Sequence, residues 1–118
     1  MPAIPDLLHA SLLRVFNERD NDARLAALGE IYADDVRFSD PEGVVTGRDA
    51  VNAKVQGLLD GAPGFVFTVA GPAWEVQDLG TLNWNFGPEG AAPVVSGTDV
   101  VTVVDGRIAT LHTYLTSN

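Results

Sequence analysis

The sequence predicts an α+β domain in which three N-terminal helices pack on one face of a mostly antiparallel sheet. Three observations carry that prediction. Apolar residues recur at helical spacing up to about Leu59, and from Gly64 onward the chain is a series of β-rich runs punctuated by Gly-Pro turns. Between the last two runs lies Asp105-Gly106, the pattern of a two-residue type I′ hairpin. With 118 residues and no internal repeat, a single domain over 1–118 is expected.

The first helix is expected to start at Pro5-Asp6, with Leu8, Leu12, Val15 and Phe16 on one face. The polar stretch from Asn17 to Asp22 breaks it and offers Asn21 or Asp22 as the next N-cap. A second helix over about 23–32 places Leu25, Leu28 and Tyr32 on one side, and Asp34-Asp35 ends it as a solvated terminus. Residues 36–40 then alternate with the period of a strand, stopped by Pro41. Thr46-Gly47-Arg48-Asp49 has the form of a capping box, and behind it Val51, Val55, Leu58 and Leu59 predict a third helix closed by Gly61 and Pro63. Strands are expected over 65–70, 73–78, 81–86, 94–104 and 108–115.

Composition excludes several classes of function. The 16 acidic and 7 basic side chains leave a formal charge of −9, and the single lysine cannot build the basic surface that phosphate contacts need. The same charge disfavours attachment to an anionic membrane, and no apolar run reaches the ~18 residues of a membrane span. There is no cysteine, hence no disulfide and no thiolate chemistry. His9 and His112 lie on different elements, so no metal-ligand spacing is present, and no phosphate-binding loop occurs. A soluble cytoplasmic protein with neither metal nor cofactor is expected, one that favours a neutral ligand.

The chemistry-bearing candidates emerge from strand parity. Asp40 shares a face with Val36 and Phe38, and Asp99 shares one with Val95, Gly97, Val101 and Val103. A carboxylate on an apolar face is costly to ionise, so its pKa should rise, which makes a useful acid or base. If Val104 and Arg107 flank a two-residue turn, Asp99 lies opposite His112 and Gly97 opposite Tyr114, with Cβ atoms about 5 Å apart. Gly97 would then leave room for a ligand beside the pair. A bulge in the hairpin would shift that register by one residue. Bland readings stand beside these: Asp40 before Pro41 is also a strand-ending turn, Asp99 a structural carboxylate, His112 an edge histidine, and Trp84 and Tyr114 wall residues.

The run from Tyr32 through Ala33-Asp34-Asp35-Val36-Arg37-Phe38-Ser39-Asp40 to Pro41, followed by Gly47-Arg48 opening a helix, resembles the nuclear transport factor 2-like superfamily. Gly97-Thr98-Asp99-Val100-Val101 and Asp105-Gly106-Arg107-Ile108 fit the same pattern, closest to the SnoaL-like polyketide cyclase and ketosteroid-isomerase-like branches. The resemblance covers nearly the whole chain. It implies a cone-shaped α+β barrel and a cofactor-independent acid–base enzyme, of isomerase or cyclase type, acting on a small apolar carbonyl compound such as a steroid- or polyketide-like molecule. By the same resemblance Asp40 is the proton-shuttling base and Asp99 a protonated donor, with His112 the partner of Asp99. Phe16, Phe38, Trp84, Gly97 and Tyr114 would line the substrate. Phe16 stands where the isomerases carry a tyrosine donor, and this departure keeps a second reading open, a non-catalytic binding or dimerisation domain. A homodimer is expected through the outer sheet face, read as Thr98, Val100, Thr102, Ala109, Leu111 and Thr113.

Overall fold

The structure, a computed structural model, describes residues 2–117. Helix α1 (Ile4–Ala10) has Pro5 and Asp6 in its first turn, where neither the missing donor nor the negative charge costs anything. It runs directly into a π-helical stretch (Ser11–Phe16), closed by a bond from the Asn17 amide to the Leu12 carbonyl at 3.1 Å. The expected apolar face survives this widening: Leu7, Leu8, Leu12, Val15 and Phe16 are all buried. Helix α2 (Asn21–Ile31) is capped one residue earlier than expected, by the Asp20 carboxylate accepting from the Ala23 amide at 2.9 Å.

Strand β1 (Tyr32–Asp40) follows α2 without a loop, so Asp34 and Asp35 are strand residues and not a helix terminus. A strand absent from the sequence reading, β2 (Gly43–Thr46), pairs antiparallel with β1. It takes up Thr46, so no capping box forms. The N-cap of α3 (Arg48–Asp60) is Gly47 at φ 95°, in the left-handed region that glycine adopts freely. Strands β3 (Phe65–Val69), β4 (Trp74–Val76), β5 (Leu79–Pro88), β6 (Val95–Val104) and β7 (Arg107–Leu115) match the expected five to within a few residues.

The strands form one mixed, curved, unclosed seven-stranded sheet in the order β2-β1-β7-β6-β5-β3, with β4 on β5. Among the described residues only β1 and β7 pair parallel. Helix α1 packs on β5, its Leu8 Cδ1 only 3.0 Å from where a Cβ on Gly80 would lie; that glycine lets the helix approach. Helices α2 and α3 are tied by Arg24, which is wholly buried and spends its guanidinium on neutral oxygens: Asn52 Oδ1 at 2.7 Å, the Glu18 carbonyl at 2.6 Å, Asn21 Oδ1 at 3.2 Å, and Gln56 Oε1. The core lies between the helices and the inner sheet face, from Leu28 and Ile31 to Val101, Ile108 and Leu111.

The β6–β7 hairpin corrects one expectation with consequences for the site. Val104 pairs with Arg107 as the Asp-Gly turn requires, but a bulge follows: Val103 pairs with Ile108 and Thr102 with Thr110, leaving Ala109 unpaired. Every later pair is therefore shifted by one. Asp99 faces Thr113, and His112 faces Val100. The outer face carries Thr98, Val100 and Thr102 as expected, but their neighbours are Thr110, His112 and Tyr114; Leu111 is buried and Thr113 points inward.

Candidate functional site

Asp99 sits in the middle of β6, 4% exposed, on the inner face. Two side chains hold it. Trp84 on β5 donates its indole N–H to Oδ1 at 3.0 Å, and Thr113 on β7 donates its hydroxyl to the same oxygen at 2.8 Å. Trp84 pairs with Gly97, not with Asp99, so its ring must lie along the sheet to reach the carboxyl. Gly97 makes that possible: a Cβ there would come within 2.8 Å of Trp84 Cη2. The space expected at Gly97 for a ligand is filled by this indole.

Among the described residues Oδ2 of Asp99 has no hydrogen-bond partner, and no fully enclosed side-chain oxygen lacks one. Oδ2 is thus the oxygen left open to the adjoining cavity. Burial pushes the Asp99 carboxyl up to about 6, while the bonds from Thr113 and Trp84 favour the charged form and limit the rise. In the protonated form, with Oδ1 already accepting two bonds, the proton belongs on Oδ2 and is aimed into the cavity.

That cavity has a volume of about 310 Å³. Five aromatic side chains from four elements wall it: Phe16, Phe38, Phe67, and Trp84 and Phe86 of β5. They touch in sequence, Phe38 to Phe16 at 5.8 Å between centroids, Phe16 to Phe67 at 5.8 Å, Phe67 to Trp84 at 5.1 Å and Phe67 stacked on Phe86 at 4.1 Å. Phe67 and Phe86 were not among the expected lining residues, although their period-two positions in β3 and β5 carried the signal. In the core Ser11 and Tyr32 share a hydrogen bond between fully buried hydroxyls, and burial holds the phenol above its ordinary pKa, so it stays neutral.

Asp40 lies at the mouth. Its Oδ1 accepts from the amides of Glu42 at 2.9 Å and Gly43 at 3.2 Å, turning β1 into β2, and its Oδ2 meets Lys54 Nζ at 3.3 Å. Turn residue and cavity residue are both correct descriptions of it. Lys54 also binds Glu42 at 2.6 Å. Beyond this rim a second hollow of about 550 Å³ runs along α3 and shares Phe16, Phe38, Asp40, Glu42 and Leu58 with the first, so the cavity has one continuous mouth.

His112 and Tyr114 do not join the site. Both are exposed on the outer sheet face, Tyr114 to 53%, because of the bulge at Ala109. Thr113 takes the place expected of His112, and nothing in the sequence signals the bulge. Another hollow, of about 630 Å³, is an open cleft elsewhere, beside Asp34 and Asp35. Its Arg48 and Arg107 are spent on the Gly29 carbonyl, and Arg48 also on the Tyr32 carbonyl and Asp34. Among the described residues no group of three or more His, Asp or Glu side chains converges as a metal site, and no helix is long and apolar enough to cross a membrane.

Residues 11–111 match the family model of the SnoaL-like domain. The chain belongs to the SnoaL-like family. No curated protein matches it. Among solved structures it is similar to a protein from Agrobacterium tumefaciens provisionally called an isomerase of the SnoaL-like family, at 26% identity and TM-score 0.89 over 95% of this chain and 96% of that one. Two more distant likenesses show the shared fold. One is provisionally called a ketosteroid isomerase, from Kribbella flavida (20% identity, TM-score 0.73, covering 97% and 78%). The other is provisionally called a polyketide cyclase, from Sinorhizobium meliloti (22% identity, TM-score 0.74, covering 93% and 94%).

Proposed function

We propose that this SnoaL-like protein is a cofactor-independent acid–base enzyme that enolises a small apolar carbonyl compound. The observation that carries the reading is Asp99: a carboxyl fixed through one oxygen, its other oxygen open to an aromatic cavity, its pKa at about 6. In the reaction Asp40 takes a proton from the carbon next to the carbonyl. The C–H electron pair moves into a new C=C bond, and the carbonyl oxygen takes up the hydrogen bond or proton offered by Asp99 Oδ2. Return of the proton from Asp40 to a different carbon isomerises the substrate and restores both carboxyls. His112 has no part in this.

Size narrows the substrate. A cavity of about 310 Å³ is about twice the ~150 Å³ that takes up benzene, which suits one or two rings at Asp99 with any longer body leaving past Asp40. The absence of a hydroxyl at Phe16 favours a second reading, binding without turnover, because a single oxyanion donor is typically worth about 3 kcal/mol. A homodimer through the Thr98–Val100–Thr102 face is proposed alongside either reading, and a sedimentation measurement giving a monomer at micromolar concentration contradicts it.

The test is solvent deuterium exchange at the α-carbon of small cyclic ketones, followed by proton NMR. Exchange above the buffer rate that disappears in Asp99→Asn and in Asp40→Asn supports the enzyme. Binding without exchange selects the second reading.

A further inference from the structure

The walls of the Asp99 cavity combine two features that a neutral ligand uses only in part. One is the set of five aromatic rings, whose faces attract cations. The other is charge of a single sign. Asp40, Glu42 and Asp99 line the cavity, and no lysine, arginine or histidine does. The nearest cation, Lys54, belongs to the outer hollow and is already bound to Asp40 and Glu42. The remaining groups around Asp99 are neutral: the Trp84 indole and Thr113 hydroxyl that bind it, and the buried Tyr32 hydroxyl. Among the described residues an ionised Asp99 therefore has two neutral donors and no counter-ion, with Oδ2 open to the cavity.

We propose that this cavity also binds lipophilic amines in their ammonium form, with the N–H donated to Asp99 Oδ2 and the alkyl groups held against the aromatic walls. This goes beyond the reaction proposed above and does not depend on turnover. The two ligand classes use opposite states of one carboxyl. A carbonyl oxygen needs the protonated acid, whereas an ammonium needs the carboxylate. A neutral guest that seals the cavity deepens the desolvation of the charged form and so binds better below the titration of Asp99. An ammonium supplies the missing counter-charge and binds better above it.

The probes are N,N-dimethylbenzylamine and isobutylbenzene, which share a shape and differ by the charged nitrogen. Calorimetric titration of the whole protein at several pH values between about 5 and 8 brackets the Asp99 transition. The amine is expected to tighten as pH rises through that range, while the hydrocarbon weakens or stays level. Asp99→Asn should weaken the amine by about tenfold or more, as the loss of a buried counter-ion implies, and leave the hydrocarbon within about twofold, the scatter expected of a neutral contact. Trp84→Phe, which keeps an aromatic wall, provides a second variant if the first folds poorly; it should weaken the amine more than the hydrocarbon. Equal binding of both probes, or an amine affinity indifferent to pH and to Asp99→Asn, overturns the proposal. Failure of the carbonyl exchange experiment leaves it standing, and success there does not establish it.

Discussion

The indole N–H of Trp84, which pairs with Gly97 two residues before Asp99 and lies over that glycine, reaches the same oxygen of Asp99 as the hydroxyl of Thr113, and together they leave the other oxygen free. A buried carboxyl held in this one-sided way has a direction as well as a raised pKa. Both properties can be tested separately.

The first test is stability against pH. Asp99 titrates at 3.8 when unprotected and at about 6 in the fold, so between those values the native state holds a proton that the unfolded chain has lost. Stability from the protonated carboxyl is complete below about pH 4 and is lost as pH rises through 6. At ~1.4 kcal/mol per unit the change is about 3 kcal/mol. Asp99→Asn removes it: chemical denaturation should show the variant gaining on the native protein by about that amount from low to high pH. Parallel curves would remove the raised pKa.

The second test concerns register. Thr113→Val deletes a donor that favours the carboxylate, so the Asp99 titration should move above about 6. His112→Ala, one residue away on the outer face, should leave the titration where it is. The opposite pattern would restore the unbulged hairpin.

Gly97→Ala tests the seat of the indole. The new methyl meets the Trp84 ring and approaches the Tyr114 carbonyl to 2.8 Å. Overpacking of this kind costs about 1–3 kcal/mol. The near-ultraviolet dichroism should change, and the Asp99 titration should rise as its indole donor is displaced. A variant with native stability and spectrum would show that the ring does not need the glycine.

Arg24→Leu provides the contrast, a substitution that weakens the fold without touching the cavity. It leaves the oxygens of Asn52, Gln56 and Glu18 without their donor, at a cost of about 2–4 kcal/mol. Thermal denaturation should reveal this loss, while ligand affinity well below the melting temperature stays unchanged.

The outline of the fold was legible because periodicity reports burial directly: the inner face of the first helix, Val51, Val55 and Leu59 of α3, and the inward side of β6 follow from apolar spacing. The face expected of the second helix did not hold: Leu25 is exposed, Tyr32 already belongs to β1, and α2 turns Arg24, Ala27, Leu28 and Ile31 inward, because the buried Arg24 breaks the apolar pattern; Leu58 of α3 is exposed as well. Asp99 was legible for the same reason, as a charged residue on an apolar face. What failed was whatever depends on a single residue of register. The bulge at Ala109 leaves no mark on the sequence, since a small residue in a strand is unremarkable either way, and it exchanged His112 for Thr113 at the site. Strand β2 escaped because its four residues lie between a proline turn and a helix start, too few for alternation to register. The role of Gly97 was inverted: a missing side chain marks where space is needed, but only the path of Trp84 reveals what occupies it.

The most direct test of the central claim is a titration of the Asp99 side-chain carboxyl carbon by NMR in the ligand-free protein. The account predicts a midpoint near 6, moving upward when a neutral carbonyl compound occupies the cavity. A midpoint in the ordinary carboxylate range near 4, unmoved by such a ligand, would contradict it.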